Sequence, residues 1–190
     1  MKEHQDDIFL VQSVLSGNTA SFGVLVEKHS EMAFSIAHKI VRNREDAEEI
    51  AQDAFIKAFQ SLRSFKGDSK FSTWLYRIVY NAAISHTRKR QQDFVQLDER
   101  IIVEKTEDKI IDTLDTYDTD MQSELVTKAI NKLPPEDSAL VTLFYLKENT
   151  VEDISHITGL SMSNVKVKLF RIRKKLYDDM QMMMKQEVLA

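Results

Sequence analysis

Apolar residues in the first half of the chain recur every three or four positions, the spacing that places side chains on one face of an α-helix. The clearest pattern follows Asn43, whose side chain suits a helix N-cap, and its first residues are acidic, which favours the positive end of the helix dipole. The predicted buried stripe consists of small and apolar residues: Ala47, Ile50, Ala51, Ala54, Phe55, Ala58 and Leu62. The pattern therefore predicts a helix over residues 44–62.

Two further helical patterns precede this one. We expect the first helix to begin at Asp6 or Asp7 and to end near Gly17. Asn18 or Thr19 is the predicted N-cap of the second helix, whose apolar residues again lie close to helical spacing. The first part of the chain is thus predicted to be a run of helices.

A fourth helical pattern starts at Phe71, after the polar loop 63–70. One side of this helix would be apolar and would carry Leu75, Ile78, Val79 and Ala82. A second, narrow arc would be mainly polar and would also carry the only Trp of the chain: Trp74, Asn81, Ser85 and Arg88. The second arc suits nucleic acid, because a guanidinium binds phosphate, an amide can read a base edge, and an indole can stack on an unpaired base. The alternative interpretation places Trp74 in the core and explains the basic helix end by the helix dipole.

The second half of the chain has the spacing of a helix-turn-helix. Helices are predicted over 122–133, before two prolines that cannot continue a helix, and over 136–146. Thr150 and Asp153 resemble a capping box, and Gly159 suits the left-handed position after a short helix. A final helix would follow, with a buried stripe at helical spacing: Val165, Leu169, Ile172 and Leu176.

Polar and basic side chains lie off the buried stripe of this last helix. Short polar residues precede and occupy its first turn, and cations follow: Ser161, Ser163, Asn164, Lys166, Lys168, Arg171, Arg173, Lys174 and Lys175. A recognition helix in the DNA major groove needs this arrangement. Helical hairpins with basic faces also occur in proteins that do not bind DNA, so this pattern alone leaves both interpretations open.

The composition narrows the class of protein. The 190 residues are 43% hydrophobic, which is enough for packed cores, and the four glycines and two prolines are too few for turn-rich β structure. The absence of cysteine excludes disulfides and thiolate zinc sites, and the five histidines are scattered, so we expect no metal or other cofactor. The polar N-terminus and the lack of a long apolar run predict a cytoplasmic protein without membrane insertion.

The net charge of −4 is distributed unevenly along the chain. Residues 93–124 contain eleven acidic and three basic residues, a net charge of −8, so the rest of the chain carries +4. This stretch has no sustained period, and it predicts an acidic linker over 92–121 between mildly basic domains at 1–91 and 122–190. An ordinary solvated loop with a short helix near 110–114 is the alternative.

Taken together, these segments resemble the bacterial RNA polymerase sigma factors of the extracytoplasmic-function (ECF) group. Residues 46–59 are similar to family region 2.2, residues 65–78 match regions 2.3 and 2.4, and residues 133–136 with the helix-turn-helix are similar to region 4. Two departures leave the promoter preference open: Ser85 stands where the family often has Asp, and residues 163–168 read Ser-Asn-Val-Lys-Val-Lys where it often has Gly-Thr-Val-Lys-Ser-Arg.

The resemblance implies an all-α fold, in which a region 2 bundle and a region 4 helix-turn-helix are joined by the acidic linker. It also implies a sigma factor that is not an enzyme, that binds core RNA polymerase and promoter DNA, and that pairs with an anti-sigma factor. In such a protein one helix face would dock on a coiled coil of the largest catalytic subunit, and region 4 would contact the flap of the second. The docking face would carry Asp46, Glu49, Gln52 and Asp53.

For promoter DNA, the resemblance implies two sets of contacts. An unstacked base of the minus-ten element would be held by residues of the polar loop and of the helix after it: Phe65, Lys66, Lys70, Ser72, Thr73, Trp74, Asn81, Ser85, Arg88 and Lys89. The minus-thirty-five element would be bound as duplex by the start of the last helix: Ser161, Ser163, Asn164, Lys166, Val167, Lys168 and Arg171.

A helix-turn-helix regulator and an enzyme are the two alternative classes of protein. A stand-alone helix-turn-helix regulator with an N-terminal ligand-binding or dimerisation bundle would bind promoter duplex without polymerase. An enzyme would need a convergent nucleophile–base set or a metal cluster, whereas Asp46, Glu49 and Asp53 lie on a single predicted helix with no histidine nearby. For those acidic residues, a plain solvated helix face is the simplest interpretation.

Overall fold

The structure is a computed structural model that describes residues 2–92, 119–146 and 149–188, and the regular elements in these ranges are all helices. The α-helices are α1 (Lys2–Leu15), α2 (Ala20–Val41), α3 (Arg44–Gln60), α4 (Phe71–Gln92), α5 (Thr119–Lys132), α6 (Pro135–Leu146), α7 (Val151–Thr158) and α8 (Met162–Val188), with a 3₁₀ turn at Leu62–Ser64. Most of the predicted acidic linker lies outside the described residues. None of the described helices is long and apolar enough to cross a bilayer.

Helices α1 to α4 form a bundle around a shared apolar core. Asn43 caps α3 as predicted, because its side-chain oxygen accepts a hydrogen bond from the Asp46 amide at 2.9 Å. Every residue of the predicted α3 stripe is buried, although Leu62 lies in the 3₁₀ turn that follows the helix. Thr19 stands at the predicted N-cap of α2, but its side chain makes no capping bond. Helix α2 ends at Val41, and the next residue, Arg42, adopts the left-handed conformation with φ 56°.

The predicted start of the first helix at Asp6 or Asp7 is wrong, because α1 already begins before both residues. Asp7 is only 4% exposed, and its carboxylate accepts hydrogen bonds from Lys28 at 2.7 Å and from His29 at 3.0 Å. Burial raises the pKa of Asp7, but the bonds from His29 and Lys28 outweigh it and leave that pKa below its ordinary value. His29 also hydrogen-bonds the Tyr76 hydroxyl on α4 at 3.2 Å. The buried Asp7 side chain therefore links α1 to α2 and does not cap α1.

Helices α5 to α8 form a second bundle, in which α7 and α8 are the predicted helix-turn-helix. Helix α6 begins at the second of the two prolines, where proline suits a first turn. The capping box is present: the Asp153 amide donates to the Thr150 hydroxyl at 3.1 Å, and the Thr150 amide donates to the Asp153 carboxylate at 3.1 Å. Gly159 follows α7 with the predicted left-handed backbone, φ 77°. Ser161 then accepts a hydrogen bond from the Asn164 amide at 3.3 Å and begins α8.

The two bundles pack directly against each other, α6 on α2 and α7 on α4. Six consecutive residues of α6, 138–143, are buried, so the middle of this short helix is covered on all sides, by its own bundle and by α2. At the end of α5, where two prolines offer no amide donor, the Arg42 guanidinium donates to the Leu133 carbonyl. Nearby, the Lys39 ammonium donates to the Asn131 side chain at 3.1 Å. This packing decides which polar surfaces stay accessible.

Candidate nucleic-acid and polymerase interfaces

The loop before α4 and the first turn of α4 form an aromatic cluster. The rings of Phe65 and Phe71 meet edge to face with centroids 5.8 Å apart, and the Trp74 ring lies 5.4 Å from Phe65 and 5.9 Å from Phe71. Phe71 is fully buried, whereas Phe65 and Trp74 are partly exposed. Around them, Lys66 is exposed and Ser72 is partly buried. Trp74 thus packs on the core and also reaches the surface. Its position agrees in part with the core interpretation and in part with the interpretation as a surface residue that can bind nucleic acid.

The polar arc of α4 is exposed, as its periodicity predicts. Asn81, Ser85 and Arg88 are exposed and line one wall of a cavity of about 230 Å³. The opposite wall comes from the second bundle and includes Lys168. Lys89 is exposed next to Arg88. The structure therefore brings together the amide, the hydroxyl and the cations that the sequence assigns to minus-ten DNA.

Two of the predicted minus-ten residues contact the second bundle. Thr73 is only 1% exposed, and its hydroxyl donates to the Asp153 carboxylate at 2.9 Å. The Lys70 ammonium donates to the same carboxylate at 2.8 Å. Burial raises the pKa of Asp153, but the hydrogen bonds from Lys70, Thr150 and Thr73 outweigh it and leave that pKa below its ordinary value. Asp153 is therefore a carboxylate anion at neutral pH.

Asp153 and Tyr80 are two residues of this region that lie outside the predicted site residues. The capping box accounts for Asp153 locally, whereas its partners Thr73 and Lys70 lie 80 and 83 positions away. Tyr80 is a buried residue that lines the cavity; burial, followed by the charge of Glu136, raises the pKa of its hydroxyl to about 12. Only the position of Tyr80 beside Asn81 could have signalled its place at the site.

The start of α8 presents the predicted polar surface. The exposed residues of the predicted minus-thirty-five set are Ser161, Ser163, Asn164, Lys166 and Arg171. Val167 and Lys168 are partly buried, and the Lys168 ammonium donates to Asp137 of α6 at 3.2 Å. The predicted inner stripe is confirmed at Val165, Leu169 and Ile172, which are buried. Among the cations of the predicted minus-thirty-five set, Lys168 is thus held within its own bundle, whereas Lys166 and Arg171 are exposed.

The predicted docking face of α3 lies at the surface. Glu49, Gln52 and Asp53 are exposed, whereas Asp46 is partly buried. Farther along the helix, Ile56 is 56% and Phe59 is 42% exposed, and neither is among the predicted docking residues. The spacing from Gln52 to Ile56 to Phe59 is helical, and this was the available signal. Among the described residues, no cluster of acidic residues or histidines could hold a metal ion.

Family profiles match both bundles. The Sigma-70 region 2 profile matches residues 25–92, and the Sigma-70 region 4 profile matches residues 123–176. The chain is 30% identical to the ECF RNA polymerase sigma-E factor of Haemophilus influenzae, over 97% of this chain and 100% of that protein. It is 29% identical to the ECF RNA polymerase sigma factor SigW of Bacillus subtilis, over 88% of this chain and 95% of SigW.

Two solved structures share this fold. One is CnrH in complex with the cytosolic domain of CnrY, with a TM-score of 0.65 and 22% identity over 91% of this chain and 96% of CnrH. The other is the sigma factor RpoE in complex with the anti-sigma factor NepR from Bartonella quintana, with a TM-score of 0.62 and 22% identity over 84% of this chain and 96% of RpoE. At this identity the likeness supports the all-α, two-bundle fold alone.

Proposed function

We propose that this chain, which belongs to the extracytoplasmic-function group of the sigma-70 family, uses three separate surfaces for polymerase binding, minus-ten capture and minus-thirty-five recognition. As a sigma factor of this group, the chain binds core RNA polymerase and directs transcription initiation at specific promoters. A stand-alone helix-turn-helix regulator does not account for the region 2 match over residues 25–92. Sigma factors are non-enzymatic initiation factors, and the lack of catalysis in this chain stays a prediction.

Polymerase binding is proposed for the exposed face of α3. The opposite face of this helix lies in the core, so its exposed polar residues are not required for folding. Ile56 and Phe59 add exposed apolar area beside Gln52 and Asp53, and protein interfaces combine an apolar centre with a polar rim. We expect a coiled coil of the largest catalytic subunit to cover this surface.

Minus-ten capture is proposed for residues 65–73 and the exposed arc of α4. One observation carries this proposal: the partly exposed Trp74 is followed, on the same side of α4, by the exposed Asn81 and Arg88. An aromatic ring beside cations can hold an unpaired base and its phosphate, and each stacked base contributes about 1–3 kcal/mol. Flipping a base out of the duplex costs on the order of a few kcal/mol, so such a site can offset the cost of melting.

Minus-thirty-five recognition is proposed for the first turns of α8. Ser163 and Asn164 are short and exposed at the helix N-terminus, where a recognition helix meets base edges in the major groove. Lys166 and Arg171 are exposed cations that can bind phosphates and fix the register of the helix. The flap of the second catalytic subunit is expected to contact the same bundle.

The domain boundaries and one further partner complete the proposal. We assign residues 1–91 to minus-ten and polymerase functions and residues 122–190 to minus-thirty-five recognition. The acidic residues 92–121 would pass through polymerase channels, where their negative charge can mimic nucleic acid. One of the similar solved structures contains an anti-sigma factor, NepR, and we expect an anti-sigma partner for this chain as well.

In vitro transcription with core polymerase on a promoter library tests the proposed function. Addition of the chain should start transcription from a set of promoters that share minus-ten and minus-thirty-five elements, whereas core polymerase alone should not. The sequences recovered would define the promoter preference. Failure to select promoters would contradict the proposal.

The minus-ten surface is tested with Asn81→Ala. This variant should give a normal footprint on duplex promoter but little permanganate reactivity in the minus-ten region, because duplex docking uses α8 and melting needs the captured base. A template with that region already melted should partly restore initiation. Gln12→Ala removes an exposed amide from α1 and serves as the control, and circular dichroism confirms folding. Normal permanganate reactivity of Asn81→Ala would remove the α4 arc from base capture.

A further inference from the structure

A buried set of hydrogen bonds lies behind the surface proposed for minus-ten capture. Asp7 of α1, His29 of α2 and Tyr76 of α4 are 4%, 5% and 2% exposed. The Nε2 atom of His29 lies 3.0 Å from the Asp7 carboxylate, and its Nδ1 atom lies 3.2 Å from the Tyr76 hydroxyl. The two ring nitrogens of His29 are thus bonded to two different helices, and together these bonds fix the orientation of the imidazole ring.

The bonds have a definite direction when the imidazole is neutral. The pKa of Asp7 lies below its ordinary value, so its carboxylate is an anion at neutral pH and can only accept. The Nε2 atom of His29 must then donate, and Nδ1 accepts from the Tyr76 hydroxyl. The second oxygen of Asp7 accepts from Lys28 at 2.7 Å, so the carboxylate is itself held from a second side.

The fixed imidazole packs on the aromatic cluster of the minus-ten surface. The rings of His29 and Phe71 have centroids 5.7 Å apart and are inclined by 52°. Phe71 is fully buried, and the rings of Phe65 and Trp74 pack on it with centroids 5.8 Å and 5.9 Å away. Because packed interiors leave little free volume, a shift of the His29 ring reaches Trp74 through a single intervening ring.

Helix α1 supports the same region at a second place. It packs on α4 and on the 3₁₀ turn Leu62–Ser64 as well as on α2. The 3₁₀ turn leads directly into Phe65, whose amide donates to the Leu62 carbonyl at 3.1 Å. The region 2 match starts at residue 25, so α1 precedes the matched segment. An element outside that segment therefore lies behind the residues proposed to hold a base.

We infer that His29 is a positioning residue for minus-ten capture: held between Asp7 and Tyr76, its ring fixes Phe71 and thereby places Trp74 for stacking on the unpaired base. The inference rests on the proposed minus-ten surface. A binding group has to be held within about 0.5 Å of its productive position by the side chains behind it. Loss of either bond of His29 frees its ring to rotate, and capture then weakens although no residue proposed to contact DNA or polymerase has changed.

Two substitutions release His29 from opposite sides. Tyr76→Phe removes the hydroxyl bonded to Nδ1 and keeps the aromatic ring, and Asp7→Ala removes the acceptor of Nε2. Asp7→Asn is the conservative variant, because its amide oxygen can still accept from Nε2. Val14→Ala is the matched control: it shortens a buried side chain of α1 about two turns beyond Asp7, so it destabilises the same bundle without removing a bond of His29.

Fluorescence of the full chain measures the positioning directly, because Trp74 is the only Trp. Excited where tyrosine does not absorb, Tyr76→Phe and Asp7→Ala should show a shifted emission maximum and stronger quenching by acrylamide than wild type. The emission of Asp7→Asn and of Val14→Ala should match wild type. Circular dichroism at the assay temperature confirms that each variant is folded, so unfolding does not explain a shift.

Holoenzyme assembled with each variant measures the consequence at a promoter recovered from the library. Tyr76→Phe and Asp7→Ala should lower the permanganate reactivity of the minus-ten region at least about fivefold, the lower end of what one stacked base contributes. Recovery with core polymerase and the footprint on duplex promoter should be unaltered. A template already melted in the minus-ten region should partly restore initiation. Asp7→Asn and Val14→Ala should melt the promoter normally.

Three results would overturn the positioning role of His29. The first is an unaltered Trp74 emission in Tyr76→Phe and Asp7→Ala, and the second is normal promoter melting by these two variants. The third is an equal loss of melting in Val14→Ala, because the loss would then follow the stability of the bundle and not the orientation of the imidazole. If Asp7→Ala is unfolded at the assay temperature, Tyr76→Phe decides alone.

Comparison with Asn81→Ala separates this inference from the proposed function. Loss of melting by Asn81→Ala together with normal melting by Tyr76→Phe would reject the role of His29 and leave the minus-ten surface in place. Normal melting by both variants would contradict the minus-ten surface itself and, with it, the positioning role.

Discussion

Removal of the Asp7 carboxylate should destabilise the first bundle, and the structure sets the size of the effect. The side chains of Asp7 and His29 are 5% and 7% exposed, and the side chain of Lys28 is 28% exposed. In Asp7→Ala the His29 nitrogen loses its partner in a buried environment, which costs about 1–3 kcal/mol. Lys28 can turn toward water, so its lost ion pair adds about 0–1 kcal/mol. We therefore expect the free energy of unfolding to fall by about 1–4 kcal/mol.

Thermal denaturation followed by circular dichroism measures this effect. For a chain of this size, 1 kcal/mol shifts the melting temperature by about 2–4 °C, so Asp7→Ala should melt about 2–16 °C below wild type. Asp7→Asn should lie between the two, because its amide oxygen can still accept one hydrogen bond. The neighbouring Asp6→Ala is the control, because Asp6 is exposed. A melting temperature of Asp7→Ala within about 1 °C of wild type would refute the claim that the buried bonds of Asp7 stabilise the first bundle.

The pH dependence gives an independent check on the charge of Asp7. Its pKa in the folded protein lies below the unfolded value of about 3.9, so the stabilisation by the carboxylate is fully present above that value. The stabilisation is lost as the pH falls through the folded pKa. The stability difference between wild type and Asp7→Asn should therefore shrink below about pH 4. A difference that persists unchanged in acid would show that the ionised form is not the one stabilised.

Three further predictions concern the binding surfaces. Asp53→Arg with Gln52→Ala should abolish co-purification with core polymerase. The reversed charge removes an attraction and adds a repulsion, which together lower the binding free energy by on the order of a few kcal/mol. Glu31→Arg is its control, and unchanged recovery of the double variant would exclude α3 from the interface. In binding selections, Arg171→Ala should weaken binding to all DNA sequences about equally and reduce the dependence of the affinity on salt concentration. Asn164→Ala should change the preferred minus-thirty-five sequence, by about 1–3 kcal/mol per lost base contact, and an unaltered preference would contradict base reading by Asn164.

Local features of the sequence determined most of the helices. The cap at Asn43, the capping box of Thr150 and Asp153, and the left-handed Gly159 are all present where the sequence predicts them. Each depends on residues within one turn of the helix, and the buried stripes of α3 and α8 depend on a period of three to four residues. The order of the short sigma-like segments along the chain was likewise enough to identify the family, which the matches to both bundles confirm.

The tertiary structure alone decided which polar residues are covered, and by what. The sequence predicts Asp7 as a possible first residue of α1 and Thr73 as a DNA contact, but α2 provides partners for the buried Asp7 and α7 covers Thr73. From the sequence, the capping box is a sufficient reason for an acidic residue at position 153. Only the tertiary structure shows that its carboxylate also accepts hydrogen bonds from Lys70 and Thr73 of the other bundle. The physical reason is that helical periodicity records which face of one helix is apolar. It does not record which other element packs on the remaining faces, because that choice depends on the shape and burial of the whole chain.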